Sequence, residues 1–177
     1  MSKQIVIGKS DIEDYKQLLR ESAERTRIEI SELLGSNGGS LEFLFQLKFQ
    51  STGCDPLKAD RRLNLIEQLN QTFTYLASFN AASFLFCRHP GVKRLTLNLG
   101  TSPGSDIEAL EDGGIAAEIF ASVDPRNNRK LANDIEKVSR ANAKHRYVLF
   151  MSPLHEAGQY QAVNADHVIV WSLGYAI

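Results

Sequence analysis

The sequence predicts an α/β fold, a central mixed sheet flanked by helices and preceded by an N-terminal helical arm. Helical periodicity fills the first third and much of the middle of the chain, and short alternating or wholly apolar runs follow from Arg94 onward. A further helical stretch after Pro125 lies between two groups of those runs. With 177 residues and 43% hydrophobic content, the chain has the length and apolar side chains for a single domain, residues 1–177.

Ser10 and Glu13 have capping-box spacing, and Tyr15, Leu18, Leu19, Ser22 and Ala23 recur at helical spacing, so a first helix is expected from about Asp11 toward Leu34. The Gly35-Ser36-Asn37-Gly38-Gly39-Ser40 stretch ends it, which makes residues 1–40 an arm and loop. Leu41 to Phe49 alternates like a strand, yet Leu44 breaks the alternation, and strand and helix both stay open. After a loop through Gly53 and Pro56, the segment Leu63 to Phe86 reads as a core helix with Ile66, Leu69, Phe73 and Leu76 on one face.

Arg94 to Leu99 alternates as a strand, and Gly100 to Gly104 reads as a turn. Ser105 to Glu111 and Ile115 to Ala121 flank Asp112-Gly113-Gly114, a hairpin signal. The helix after Pro125 carries Leu131, Ile135 and Val138 on its apolar face, with Asn127 or Asn128 suited to cap it. Tyr147 to Met151 and His167 to Trp171 complete the strands, so the core spans residues 63–173.

Composition excludes several functions. Basic and acidic residues balance, 20 against 21, which argues against a disordered tail or a strongly polyanion-binding protein. Cys54 and Cys87 stand far apart without a CxxC partner, so neither a disulfide framework nor a structural zinc site is indicated. Cys87-Arg88-His89 offers two ligands without a second pair at matching spacing, and Asp166-His167 and His145 could pair with metals, although a lone histidine at a strand start is usually structural. There is no G-x-S-x-G elbow and no phosphate-binding glycine loop. No run approaches the ~20 apolar residues that span a bilayer, and the start lacks the pattern of a signal peptide; no membrane association and a cytoplasmic location are expected.

The chemistry concentrates in the hairpin. Ile115-Ala116-Ala117-Glu118-Ile119-Phe120-Ala121 is apolar apart from Glu118, as a strand covered on both faces would be. An ionised carboxylate there needs a metal ion, a lysine or backbone donors. With a three-residue turn, Glu111 would pair with Ile115 and Asp106 would lie opposite Phe120, so that Asp106, Glu108, Glu118 and Phe120 share one face. A two-residue turn would separate the acids. Two carboxylates on one face suit a hard divalent ion such as Mg²⁺ or Mn²⁺.

Gly104-Ser105-Asp106-Ile107-Glu108, a glycine turn, Glu118 in an apolar strand, then a helix and a strand together resemble the core of the PD-(D/E)xK, or restriction-endonuclease-like, superfamily. The resemblance implies a metal-dependent nuclease hydrolysing phosphodiester bonds of DNA, with RNA as a further substrate class. Asp106 and Glu118 match the two acids that bind metal, and Ser105 stands where the motif has proline. The strand lysine is replaced by Phe120, and Lys130 in the following helix is the substitute the resemblance suggests. Lys130, Asp134 and Lys137 form one stripe of that helix. Glu67 occupies the place of a helix glutamate that supports the metal in many members. Arg61-Arg62, Lys93-Arg94, Arg126, Arg129-Lys130 and Lys144-His145-Arg146 would supply a basic rim for nucleic acid. The alternative that Phe120 raises is a catalytically inactive nuclease fold acting as a nucleic-acid-binding or protein-interaction module. A homodimer would suit a nuclease that cuts both strands.

Overall fold

The computed structural model describes residues 4–35, 38–100, 104–161 and 167–175. The expected glycine-rich loop after Leu34 and the turn from Gly100 to Gly104 lie partly outside these residues, and Asp166 lies outside them. The element order is β1 (Gln4–Ile7), α1 (Ile12–Leu34), α2 (Ser40–Phe49), β2 (Gly53–Asp55), β3 (Lys58–Leu63), α3 (Leu65–Arg88), β4 (Leu95–Asn98), β5 (Ile107–Ala109), β6 (Ile115–Ala121), α4 (Lys130–Ser139), β7 (His145–Met151), β8 (Gly158–Gln159) and β9 (Ile169–Ser172). The chain forms two compact units, one comprising Met1–Ile12 with Ala77–Ile177 and the other Glu13–Leu76.

The larger unit holds a mixed seven-stranded sheet in the order β1-β4-β5-β6-β7-β9-β8. β6, β7 and β9 run parallel, and the remaining neighbours pair antiparallel. Alternation along the strands divides the faces. Ala116, Phe120, Val148, Phe150 and Val170 turn to one side and pack under Leu131, Ile135 and Val138 of α4. On the other side Phe84 of α3 meets Tyr147 edge-on at 6.1 Å and Trp171 at 5.1 Å. The sheet is therefore covered by helices on both faces, which is why β6 is apolar almost throughout. Among the described residues no helix is long and apolar enough to cross a membrane.

The smaller unit pairs β2 with β3 as an antiparallel hairpin. A buried polar network holds it. Gln68 Oε1 accepts from Thr26 Oγ1 at 2.6 Å and from the Cys54 backbone at 3.2 Å, while its amide donates to Ser22 Oγ at 3.1 Å. Gly53 is required beside this network, because a Cβ there would come within 1.6 Å of Gln68 Oε1.

Several local expectations change. Leu41 to Phe49 is a helix, so its alternation does not mark a strand. On α3, Leu76 is buried as expected, but Ile66 and Leu69 are exposed, and Gln68, Tyr75 and Phe79 are buried with it. The Ser10 and Glu13 box does not form; Asp11 Oδ2 instead accepts the Gly8 N–H at 2.8 Å. Neither asparagine caps α4, whose preceding residues Asn128 and Arg129 both adopt φ of 55°, a left-handed conformation that is costly for arginine.

Candidate functional site

The hairpin carries the acids, but its turn is longer than three residues. Ile107 pairs with Ala117, Glu108 with Ala116 and Ala109 with Ile115, leaving Leu110 to Gly114 as a five-residue loop. Continuing the register by one pair sets Asp106 opposite Glu118, not Phe120. The shift is by an even number of residues, so Glu108, Glu118 and Phe120 keep a common face, while Asp106 lies just before β5. Asp106 Oδ2 accepts the Ile119 N–H at 2.8 Å, which ties the first acid to the strand of the second.

Glu118 is 1% exposed and faces α4 between Ala116 and Phe120. Its Oε2 accepts from Lys137 Nζ at 2.7 Å, and its Oε1 is buried without a hydrogen-bond partner. One turn earlier on the helix, Asp134 is 4% exposed; Lys130 bonds its Oδ1 at 2.7 Å, and its Oδ2 also lacks a partner. The stripe on α4 thus turns its central acid inward while the two lysine stems climb to solvent. Lys137 rather than Lys130 reaches Glu118. Lys130 instead stands over the Phe120 ring at 5.8 Å.

Phe120 is a core residue. It is 6% exposed and stacks on Phe150 at 5.7 Å, so an apolar ring fills the place where the motif has its strand lysine. Glu67 belongs to the other compact unit, exposed in the first turn of α3, where its N–H bonds to Asn64 Oδ1 at 2.9 Å. A carboxylate there complements the helix dipole, which gives Glu67 a local reason to be present. Arg61 and Arg62 of the expected basic rim also belong to that unit and pair with Asp55 and Glu29.

The electrostatics follow from burial. Desolvation lifts the Glu118 carboxyl to about 7, with Lys137 opposing and Asp106 and Asp134 reinforcing the shift. Burial raises Asp134 in the same way, against the pull of Lys130. Partial burial pulls Lys137 down, but its bond to Glu118 and the negative charges of Glu118, Asp106 and Asp134 together hold it above its ordinary value. The pair is unequal: the ammonium keeps contact with water, whereas the carboxylate lies under the helix. Fully ionised, the three carboxylates exceed the two ammonium groups by one negative charge. The cluster therefore favours uptake of a proton or a cation, and Glu118 and Asp134 each keep one buried oxygen without a hydrogen-bond partner.

A group that could hold a metal ion joins residues the sequence offered only separately. His89, Asp112 and His145 bring one ligand atom each within 4.8 Å of one another. Asp112 Oδ2 lies 2.8 Å from His89 Nδ1 and 3.4 Å from His145 Nε2. No short motif links these residues. The signals were single residues: His89 in Cys87-Arg88-His89, Asp112 in a glycine turn and His145 opening an apolar strand. No protein-family model, curated protein or solved structure significantly matches the chain.

Proposed function

We propose that this protein is a metal-dependent phosphodiesterase of the restriction-endonuclease-like type acting on DNA, with Asp106 and Glu118 holding Mg²⁺ or Mn²⁺. The observation that carries the reading is Glu118: a carboxylate sealed in an apolar strand, bonded to Lys137 through one oxygen and unpartnered at the other. The ion would polarise the phosphodiester and lower the pKa of an attacking water. Asp106, oriented by the Ile119 N–H on one oxygen, would supply the other to the ion. Lys137 takes the role that the sequence suggested for Lys130, holding a proton at Nζ beside Glu118 where negative charge would develop. Asp134 orients Lys130 and adds a third acid to the cluster. Arg129, exposed just ahead of α4, suits contact with a backbone phosphate. A homodimer accords with α2, which exposes Leu41, Leu44, Phe45 and Phe49 and buries none of its residues.

One observation favours the inactive reading. The direct bond between Lys137 and Glu118 compensates the buried acid without any metal. Cleavage of DNA and RNA substrates with Mg²⁺ or Mn²⁺ separates the two, comparing the wild type with Asp106→Asn and Glu118→Gln. The proposal expects cleavage that falls at least ~10²-fold in both variants. Equal activity in Glu118→Gln sinks the mechanism, and no cleavage by the wild type leaves the binding-module reading.

A further inference from the structure

We infer that His89, Asp112 and His145 form a second metal site, specific for a zinc-class divalent cation and separate from the acid cluster. The ligands come from three places in the larger unit: His89 just past the end of α3, Asp112 in the loop between β5 and β6, and His145 at the start of β7. Ile115 pairs with His145 and Glu118 with Val148, so the two sites are three residues, about 10 Å, apart along the sheet. They also lie on opposite faces. Tyr147, in step with His145, packs against α3, whereas Glu118 faces α4.

The distances suit a tetrahedral ion. Ligands about 2.1 Å from zinc stand about 3.4 Å from one another at tetrahedral angles. His145 Nε2 and Asp112 Oδ2 are already 3.4 Å apart, too far for a good hydrogen bond. The His145 Nε2 atom is shielded from solvent and has no hydrogen-bond partner, although the imidazole ring as a whole is only partly buried. His89 Nδ1 sits at hydrogen-bond distance from Asp112 Oδ2, 2.8 Å, and would open by roughly half an ångström to admit an ion.

The surroundings supply the remaining requirement. A ligating histidine commonly donates its other N–H to an oxygen, which fixes its tautomer. His89 Nε2 lies 2.8 Å from Tyr147 Oη, itself buried in the sheet. Without metal, His89 would donate from Nδ1 to Asp112 and accept from Tyr147; with metal on Nδ1, it donates from Nε2 to Tyr147. The same contacts serve both states. Two imidazoles and one carboxylate suit zinc, cobalt or nickel and suit magnesium poorly. Asp112 is 42% exposed, leaving a solvent-facing position for water as the fourth ligand. Bound there, the ion clamps the hairpin loop to the end of α3 and the start of β7.

Metal-free protein titrated with Co²⁺ tests the site through visible d–d bands, with Zn²⁺ displacing the cobalt. The expected result is one ion per chain giving the intense bands of a tetrahedral site, and a Tm rise of roughly 5–10 °C at hundredfold Zn²⁺ excess over Kd. Asp112→Gly and His145→Ala each weaken binding on the order of 100-fold, and Tyr147→Phe on the order of 10-fold. Asp112→Gly is the cleaner variant, because residue 112 has a φ of 55° that glycine adopts without strain. Glu118→Gln leaves the cobalt bands unchanged, which keeps this site distinct from the acid cluster. Absence of cobalt bands and of any Zn²⁺-dependent Tm shift in the wild type overturns the inference. Binding that survives both Asp112→Gly and His145→Ala overturns it as well.

Discussion

Replacing Glu118 with glutamine should make the protein more stable at neutral pH and leave it nearly unchanged in acid. Burial lifts the carboxyl from 4.5 to about 7, so between these values the folded state holds a proton that the unfolded chain has released. Stability from this group is fully present below pH 4.5 and is lost as the pH rises through about 7. The interval corresponds to about 3 kcal/mol at ~1.4 kcal/mol per pH unit. Glutamine keeps the size and an acceptor for Lys137 without the charge, so Glu118→Gln should gain up to that amount above pH 7. For a chain of this length the gain is a Tm difference of roughly 6–12 °C. His145 acts with the opposite sign: burial and the neighbouring His89 lower it, so its contribution is present above its ordinary value of 6.5 and lost as the pH falls. Both proteins share that contribution, and it cancels in the difference. Thermal unfolding of both from pH 4 to 8.5 in metal-free buffer is the assay. A Tm difference that does not change with pH would refute the claim that Glu118 is held protonated by burial.

Phe120→Lys should not restore the missing strand lysine; it places an ammonium against Phe150 in a packed layer and should destabilise by several kcal/mol, read by denaturant unfolding. Lys137→Ala should lower metal-dependent cleavage ~10²-fold or more, while Lys130→Ala should cost less, since Lys130 bonds Asp134 and not Glu118; equal losses would return the role to Lys130. Gly53→Ala should destabilise by about 1–3 kcal/mol in a denaturant titration, because the new Cβ displaces Gln68 from Thr26 and Cys54.

What could be read from the sequence followed from periodicity. β6 runs from Ile115 to Ala121 as expected, because a strand buried on both faces is apolar and the Gly113-Gly114 turn marks its start. The shared face of Glu108 and Glu118 held although the turn was longer, since only an odd slip would have flipped it, and Asp106 meets β6 through the Ile119 N–H. Leu41 to Phe49 stayed ambiguous because a short, mostly apolar run carries no decisive period, and the exposure of Leu41 and Phe45 gives no core face to detect. β3, reading Lys-Ala-Asp-Arg-Arg-Leu, is exposed along most of its length and has no apolar face to reveal it. β1 lies at the sheet edge and is too short to stand out before the long helix.

The sites divide in the same way. Lys137 was visible on the α4 stripe beside Lys130, but only the packing of α4 on β6 decides which lysine reaches Glu118. Phe120 reads as a lost catalytic residue in the sequence and as a packed ring in the fold. His89 and Asp112 stand 23 positions apart and meet only because α3 ends where the hairpin loop turns. Searching for a second ligand pair at fixed spacing, as for a zinc finger, could not find a site assembled from single residues of three elements.

The most direct test of the central claim is Mn²⁺ binding followed by the paramagnetic resonance of the free ion. One Mn²⁺ should bind, be lost in Asp106→Asn and in Glu118→Gln, and be retained in His145→Ala. A wild type that binds no Mn²⁺, or binding that persists in both acid variants, would contradict it.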